Sequence, residues 1–227
     1  MSPINRNTLG LRVDKRLAGY AVLAGAALSA PAIPNADADI IYSGPVSINI
    51  TSTTQGVYLN VVSGLNSTNS SIVTSWDVNP WSSSGLGLFN PAAPSGGAYV
   101  NTTAGGSTAI NMAFGASIDA GNFYGSGSSA AGAAQAQWNL NSSNNLIGFR
   151  FVDPSIGGGA TVLYGWMRIS LGATPGGQPR AIVEYAYENA GASIGAGVVP
   201  EPTVMALLSV MATGALGVRA WRKRKAA

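Results

Sequence analysis

The amino-acid sequence predicts an all-β fold, an antiparallel β-sandwich of jelly-roll type, with an apolar helix at each end of the chain. Apolar residues between positions 40 and 199 alternate in short runs, which is the period-two pattern of β-strands. Clusters of Gly, Ser, Asn and Pro separate the runs and are typical of turns. No amphipathic helix pattern occurs there that could cover a parallel sheet, so we expect the strands to pair antiparallel.

The predicted strands follow one another along this region. In chain order, their apolar runs occupy residues 46–50, 57–61, 72–78, 110–112, 147–151, 163–171 and 182–187. The turn clusters between them occupy residues 91–97, 104–107, 125–129, 153–159 and 175–177. The apolar runs are numerous enough to build one core, so the sequence predicts a single β-domain at residues 39–197.

The clearest alternation lies in the last three runs. On the first, one face carries three apolar residues that we expect in the core: Ile147, Phe149 and Phe151. Arg150 lies on the opposite face and is expected to point outward. On the third run, alternation predicts that one face is shared by Ile182, Glu184, Ala186 and Glu188. We therefore expect an ion pair across strands between a glutamate and Arg150 or Arg168, as a structural pairing or, alternatively, as part of a ligand site.

The composition fits a folded domain that carries few charges. Apolar residues make up 46% of the chain, enough for a core, whereas only 9% of residues are charged. Nine of the twelve basic residues lie near the two termini, and residues 39–199 carry three arginines against six carboxylates. Because binding to nucleic-acid phosphates needs a basic patch, we expect no nucleic-acid partner.

The N-terminus has the three parts of a secretory signal peptide. A basic pair at residues 15–16 precedes an apolar run at residues 17–30, and the small residues Ala36 and Ala38 follow. As a helix, the run would extend about 21 Å, which is too short to cross a bilayer core of about 30 Å. We therefore expect signal peptidase to cut after Ala38, with a cut after Ala30 as the alternative. A buried Ala-rich helix is the other interpretation.

The C-terminus joins a proline motif, an apolar stretch and a basic cluster. The motif is Pro200, Glu201 and Pro202, and the apolar stretch covers residues 203–218. The basic cluster consists of Arg219, Arg222, Lys223, Arg224 and Lys225. The prolines hold the backbone extended, so that a processing enzyme could read it. The apolar stretch is expected to be a transmembrane helix whose basic end stays in the cytoplasm under the positive-inside rule.

These three parts, in this order, resemble the PEP-CTERM sorting signal over residues 198–225. The resemblance implies a bacterial substrate of an exosortase, a membrane transpeptidase-like processing enzyme that would recognise Pro200, Glu201 and Pro202 and then release or re-anchor the domain. The three runs from residue 147 to residue 188 are also similar to a module that is common just upstream of such tails. The chain would then consist of a signal peptide (1–38), a secreted domain (39–197) and a sorting tail (198–227). A plain C-terminal membrane anchor is the alternative.

The central region lacks the residues of most catalytic sites. The chain has no His and no Cys, and no Lys lies between Lys15 and Lys223. Catalytic triads, Cys–His pairs, Schiff-base lysines and ordinary zinc sites are thereby excluded, so we expect a protein that is not an enzyme and that holds no metal or cofactor. A two-carboxylate glycoside hydrolase is an alternative. Its candidate acids are Asp77, Asp119, Asp153, Glu184 and Glu188.

Three tryptophans lie among amide side chains. Trp76 and Trp81 flank an asparagine-containing segment, and Trp138 lies between glutamines and an asparagine. Aromatic rings stack on the apolar faces of sugars while amides bond sugar hydroxyls, so these residues are candidates for glycan binding. A place in the core is the alternative interpretation of each tryptophan.

The function expected from these features is a non-enzymatic surface or extracellular-matrix protein. As the resemblance implies, its partner would be exopolysaccharide or biofilm material. It would pass through the inner membrane in transit and end at the cell surface or in the extracellular matrix. A carbohydrate-binding module is the alternative function, and the hydrolase is a further one.

Overall fold

The fold is all-β, as the alternating sequence pattern predicts, and its sheets are antiparallel. The structure is a computed structural model that describes residues 39–125 and 136–200. Within these residues there are thirteen strands, a 3₁₀ turn at Gly157–Gly159 and further 3₁₀ backbone at residues 136–137. The strands are β1 (Ile40–Tyr42), β2 (Ile48–Asn49), β3 (Tyr58–Leu59), β4 (Asn66–Ser67), β5 (Asn79–Trp81), β6 (Gly87–Phe89), β7 (Tyr99–Val100), β8 (Ser117–Ile118), β9 (Tyr124–Gly125), β10 (Ser142–Phe151), β11 (Leu163–Leu171), β12 (Ala181–Glu188) and β13 (Ile194–Gly195).

A seven-stranded sheet forms the centre of the domain. Its strands lie in the order β1-β12-β11-β10-β7-β9, and β2 also pairs with β12. The three long strands β10, β11 and β12 form a continuous antiparallel meander, in which Ile147 pairs with Met167 and Met167 pairs with Tyr185. They correspond to the three runs in which the sequence alternates most clearly.

The central sheet buries apolar side chains on both of its faces. On the first face Ile147, Phe149 and Phe151 enter one core cluster with side chains of β11 and β12, which confirms the predicted core face of β10. On the second face Leu146 and Trp166 enter a separate cluster with residues of β8 and β13. This two-sided burial explains why few polar residues interrupt the meander.

Short hairpins complete the first cluster. Strands β3 and β4 pair with each other, and so do β5 and β6. Leu59 of β3 and Leu88 of β6 are fully buried in the same cluster as the β10 side chains. The hairpins therefore stand against the first face of the central sheet.

Strand β12, the third strand of the meander, departs from the alternation that the sequence predicts. Arg168 pairs with Glu184, but the next residue, Ile169, pairs with Ile182, so the ladder contains a β-bulge. A bulge adds one residue to one strand and reverses which face the following side chains occupy. Ile182 consequently lies in the core cluster with Ile169 and does not share a face with Glu184, contrary to the sequence prediction.

Two further predicted strands are wrong. Residues 72–78 were expected to be extended, but turn hydrogen bonds run from Ile72 N–H to Asn69 and from Val73 N–H to Ser70. The Ser and Thr residues in this segment favour such local turns over a sheet ladder. The run at residues 110–112 also forms no strand, although Met112 N–H donates to the carbonyl of Leu146.

Arg180 is the most deeply buried arginine of the described domain, with 1% of its surface exposed. Its guanidinium donates to five carbonyl oxygens, and no carboxylate lies among its hydrogen-bond partners. The acceptors are the carbonyls of Ile50, Thr51, Ser82, Gly85 and Pro175. Burial lowers the pKa of Arg180. Its five-donor fork therefore ties together three loops near the start of β12.

Candidate functional site

Most residues of the predicted signal and sorting segments lie outside the described residues. The site residues that the sequence predicts there are Ala36, Ala38, Glu201, Pro202, Arg219, Arg222, Lys223, Arg224 and Lys225. Pro200 is the last described residue and is exposed. In residues 39–125 and 136–200 there is no helix with the length and apolarity that a membrane span requires.

The chain is held in the fold until two residues before the proline motif. Strand β13 pairs with β8, and Val198 N–H donates to the Gly195 carbonyl at 3.0 Å. The indole N–H of Trp166, a fully buried residue, donates to the Val198 carbonyl at 3.0 Å. Val199 and Pro200, the last two described residues, are exposed, so the first residue of the motif is accessible to solvent.

A group of aromatic rings meets at the surface around Trp76. The Trp76 ring stacks on Phe89, with 5.9 Å between the ring centroids, and it meets Tyr58 edge-on at 5.1 Å. Phe89 is 50% exposed, whereas Tyr58 is nearly buried behind the other rings. The three side chains come from β3, from β6 and from the turn before β5.

Trp81 extends this group along the β5–β6 hairpin. Asn79 pairs with Phe89 and Trp81 pairs with Gly87, so these four residues share the outer face of the hairpin. The Trp81 ring lies over Gly87, where an added Cβ would fall 2.7 Å from two of its ring atoms. We call Tyr58, Trp76, Trp81 and Phe89 the aromatic surface.

Two depressions adjoin the aromatic surface. One, of about 210 Å³, is lined by Tyr58, Trp81 and Phe89 together with Thr54 and Asn79. The other, of about 290 Å³, is lined by Trp76 and by the loops around residues 91–93 and 152–159. Because Trp76 stacks on Phe89, the ring pair separates the two depressions.

The polar groups beside these rings are amides and hydroxyls. Asn79, which is 2% exposed, donates from its side-chain amide to the carbonyls of Gln55 and Val57 and so holds the Gln55 segment against the hairpin. The Tyr58 hydroxyl donates to Gln55 Oε1 at 2.9 Å, which leaves the Gln55 amide as a donor. Thr54 adds an exposed hydroxyl to the rim.

Trp138, the third tryptophan singled out by the sequence, is not part of the aromatic surface. It is 4% exposed and belongs to the core cluster on the first face of the central sheet. Its indole N–H has no hydrogen-bond partner. A ring buried to this degree offers no face to a sugar. Trp138 therefore lies in the core, which is the alternative interpretation given for each tryptophan.

Two candidate carboxylates, Asp77 and Asp153, are buried near the larger depression. Asp77 lines it and accepts a hydrogen bond from Val61 N–H at 2.8 Å. Burial raises the pKa of Asp77 to about 8; the charge of Asp153 acts in the same direction, and the bond from Val61 opposes it. Asp153 is itself held by the backbone N–H and hydroxyl of Ser155.

The other three candidate acids have structural partners. Glu184 pairs with Arg168 at 2.5 Å, which confirms the predicted ion pair across strands, and it also accepts from the Tyr42 hydroxyl. That hydrogen bond raises the pKa of Tyr42. Glu188 accepts the backbone N–H groups of two residues that follow it, at 190 and 192. Asp119 accepts from the hydroxyl of Ser117 and the N–H of Gly121 in a turn.

All three arginines of the described domain are engaged within the fold. Arg150 donates to the carbonyls of Gly97 and Ser95, and its guanidinium lies 4.3 Å from the Tyr124 ring centre. Arg168 bonds Glu184, and Arg180 is buried. Of the two arginines that the prediction offered to a glutamate, Arg168 forms the ion pair, whereas Arg150 bonds the loop that precedes β7.

The sequence interpretation missed Tyr58 and Phe89. A signal for Phe89 was present, since Leu86 and Leu88 alternate with Gly87 and Phe89, and a buried pair of leucines directs the intervening side chains outward. Tyr58 gave no such signal, because both residues of β3 are buried.

Comparison of the chain with models of known protein families, with curated proteins and with solved structures found no match.

Proposed function

We propose that this chain is an exported, non-enzymatic protein of the cell surface or extracellular matrix, delivered through a PEP-CTERM sorting signal. The observation that carries the proposal is the order of Pro200-Glu201-Pro202, an apolar stretch at 203–218 and a basic cluster at the C-terminus. Signal peptidase would remove residues 1–38, and an exosortase-like enzyme would act at the proline motif. The domain at residues 39–197 is then the delivered cargo.

The geometry at the end of the domain supports this processing. A processing enzyme must bind its motif as an accessible, extended segment, and the last internal hydrogen bonds end at Val198. Exposed Val199 then leads directly into Pro200, the exposed first residue of the motif. The domain could fold completely outside the membrane before the tail is cut.

A non-enzymatic role is supported by the state of the acidic residues. Glu184 is neutralised by Arg168, while Glu188 and Asp119 hold turns and backbone N–H groups. Asp77 and Asp153 are both almost completely buried. None of the five acids therefore stands as an open, solvated pair on which a two-carboxylate mechanism could be built.

We propose a two-layered, jelly-roll-like sandwich as the architecture of the cargo domain. Support comes from the first core cluster, which joins side chains of the central sheet to those of hairpins β3–β4 and β5–β6. Buried apolar residues between two sets of antiparallel strands are typical of a sandwich.

The proposal is tested by intact-mass measurement and terminal sequencing of the protein recovered from its native host, comparing wild type with Glu201→Ala. We expect the wild-type product to begin after residue 38 and to end near residues 200–202, whereas the variant keeps its tail. Ser83→Ala, an exposed change far from both termini in sequence, is the control and should be processed like the wild type. A tail retained in every protein would refute the sorting route and leave a plain membrane anchor.

A further inference from the structure

The aromatic surface combines exposed rings in a way that the rest of the domain does not. Most aromatic side chains of the described residues are buried, among them Tyr99, Phe149 and Trp166. Phe114 and Phe123 are exposed, but neither pairs with another ring. Phe89, by contrast, is half exposed while stacked on Trp76, so ring faces and edges are held in a fixed arrangement at the surface.

This arrangement is rigid before any ligand binds. Trp81 is held against Gly87 by the hairpin, and Tyr58 is fixed by its hydrogen bond to Gln55. Holding aromatic rings in place in the free protein lowers the entropy lost on binding. The depressions on either side of the ring pair can then receive the parts of a ligand that project beyond the rings.

The polar rim identifies the chemistry of a suitable ligand. The exposed Gln55 amide is a donor, and exposed Thr54 carries a hydroxyl that can donate or accept. Such groups bond hydroxyls, which are donors and acceptors at once. A molecule with apolar faces and many hydroxyls, namely a sugar chain, matches the rings and the rim together.

Charge decides which kind of sugar chain is suitable. Among the described residues the only cations are Arg150, Arg168 and Arg180, and each is engaged elsewhere by carbonyls or by Glu184. No arginine or lysine lines either depression. A uronate, sulfate or phosphate group on the ligand would therefore lose its water without gaining a counter-charge.

We propose that the aromatic surface is a binding site for a neutral polysaccharide, whose sugar rings stack on Trp76, Phe89 and Trp81 while Thr54 and Gln55 bond its hydroxyls. The inference rests on the proposed function only in that export gives the domain access to such a polymer. It deepens that function by assigning the partner class and the residues that contact it.

The test measures binding of the purified full chain, kept in detergent, to soluble polysaccharides by affinity electrophoresis. The probes are three neutral polymers, hydroxyethylcellulose, a mannan and a galactan, together with the anionic polymer alginate. We expect retardation by at least one neutral polymer and none by alginate. Binding should persist in high salt, because no ion pair contributes to it.

Variants locate the site. Trp76→Ala and Phe89→Ala should each weaken binding by about tenfold, which corresponds to about 1.4 kcal/mol and is within the range of ring stacking. Phe114→Ala, which removes an even more exposed phenylalanine outside the site, should bind like the wild type. If the Trp76→Ala protein does not fold, Gly87→Ala takes its place in the test. The added methyl group at residue 87 displaces the Trp81 ring.

Several outcomes would overturn the inference. Alginate binding equal to or tighter than neutral binding would do so, as would unchanged binding by folded Trp76→Ala and Phe89→Ala proteins. Retardation by none of the neutral polymers would also overturn it and would favour a protein segment as the occupant of the surface. These results are independent of processing. A wild-type protein that keeps its tail in the native host but still binds the polymer would remove the sorting route alone. A correctly processed protein that binds no polymer would remove only this inference.

Discussion

Asp77 illustrates how a residue next to the aromatic surface is held neutral by its surroundings. It follows Trp76 in the chain, but its side chain is 2% exposed and its one described hydrogen-bond donor is the Val61 N–H. Burial raises the pKa of Asp77 to about 8, because the charged form loses its water and receives little in return. At neutral pH the carboxyl therefore keeps its proton.

This shift predicts that stability falls as pH rises. In the unfolded chain Asp77 loses its proton near its ordinary pKa of about 4, whereas the folded protein retains the proton up to about pH 8. Between these values the native state binds more protons than the unfolded state, so the free energy of unfolding declines with pH and levels off above the folded pKa. We expect the Tm to drop by about 5–10 °C between about pH 5 and about pH 9.

Asp77→Asn is the matched control for this prediction. The amide keeps an oxygen for the Val61 N–H but cannot ionise, so the decline attributable to residue 77 should vanish, leaving a flatter profile of Tm against pH. Differential scanning calorimetry of the two proteins measures the difference. Parallel profiles for wild type and variant would show that Asp77 is ionised in the native state.

At the scale of the strand, glycines explain how bulky rings fit into the central meander. Gly148 of β10 pairs with Trp166 of β11, and Phe149 pairs with Gly165. An added Cβ at Gly165 would meet the Phe149 ring, whereas one at Gly148 would meet the side chains of Met112, Val100 and Ile118. Glycine weakens a strand on its own, so its presence at these two places indicates close approach by a neighbouring side chain.

We expect Gly165→Ala to destabilise the domain by about 1–3 kcal/mol through overpacking. An added Cβ would fall 2.7 Å from the Ala186 carbonyl oxygen and 2.7 Å from the Phe149 ring, and the carbonyl is fixed in the sheet. Urea unfolding measures the change in the free energy of unfolding. Gly121→Ala, an exposed change in a turn, is the control, and an equal effect of the two substitutions would contradict the packing explanation.

The long strands were predictable from the sequence, whereas several smaller features were not. Strict alternation from Ile147 to Phe151 places the apolar side chains on one face of β10, and the structure buries that face in the first core cluster. The bulge that moves Ile182 to the core face has no local signature, since it depends on the ladder with β11. The same holds for Arg180, whose five carbonyl partners lie up to 130 residues away along the chain.

The residues of the aromatic surface likewise divide into those that the sequence predicts and those that only the tertiary fold reveals. Trp76 and Trp81 were candidates because they flank a short asparagine-containing segment. Trp138 has a similar local setting, yet it is buried, because its burial is decided by distant strands. Phe89 could have been identified from its alternation with buried leucines, whereas the place of Tyr58 behind the rings required the tertiary fold.

For the whole molecule, the sequence predicts targeting segments at the two ends and a cargo domain between them. Its basic residues are concentrated at the ends, and the domain between them carries three arginines that are all used within the fold. A domain with so few free charges would bind neutral material and remain insensitive to salt outside the cell. We therefore expect the cargo to act where a neutral polymer is abundant, and export is the step on which this account depends.

The most direct test of that step is the position of the domain in the native host, measured with an antibody against residues 39–197 on intact and on permeabilised cells. We expect the wild-type domain to be labelled on intact cells or recovered from the extracellular matrix. Leu23→Arg, which places a charge in the N-terminal apolar run, should confine the domain to the cytoplasm, where only permeabilised cells are labelled. Wild-type protein that is labelled only after permeabilisation would contradict export, and with it the proposed function.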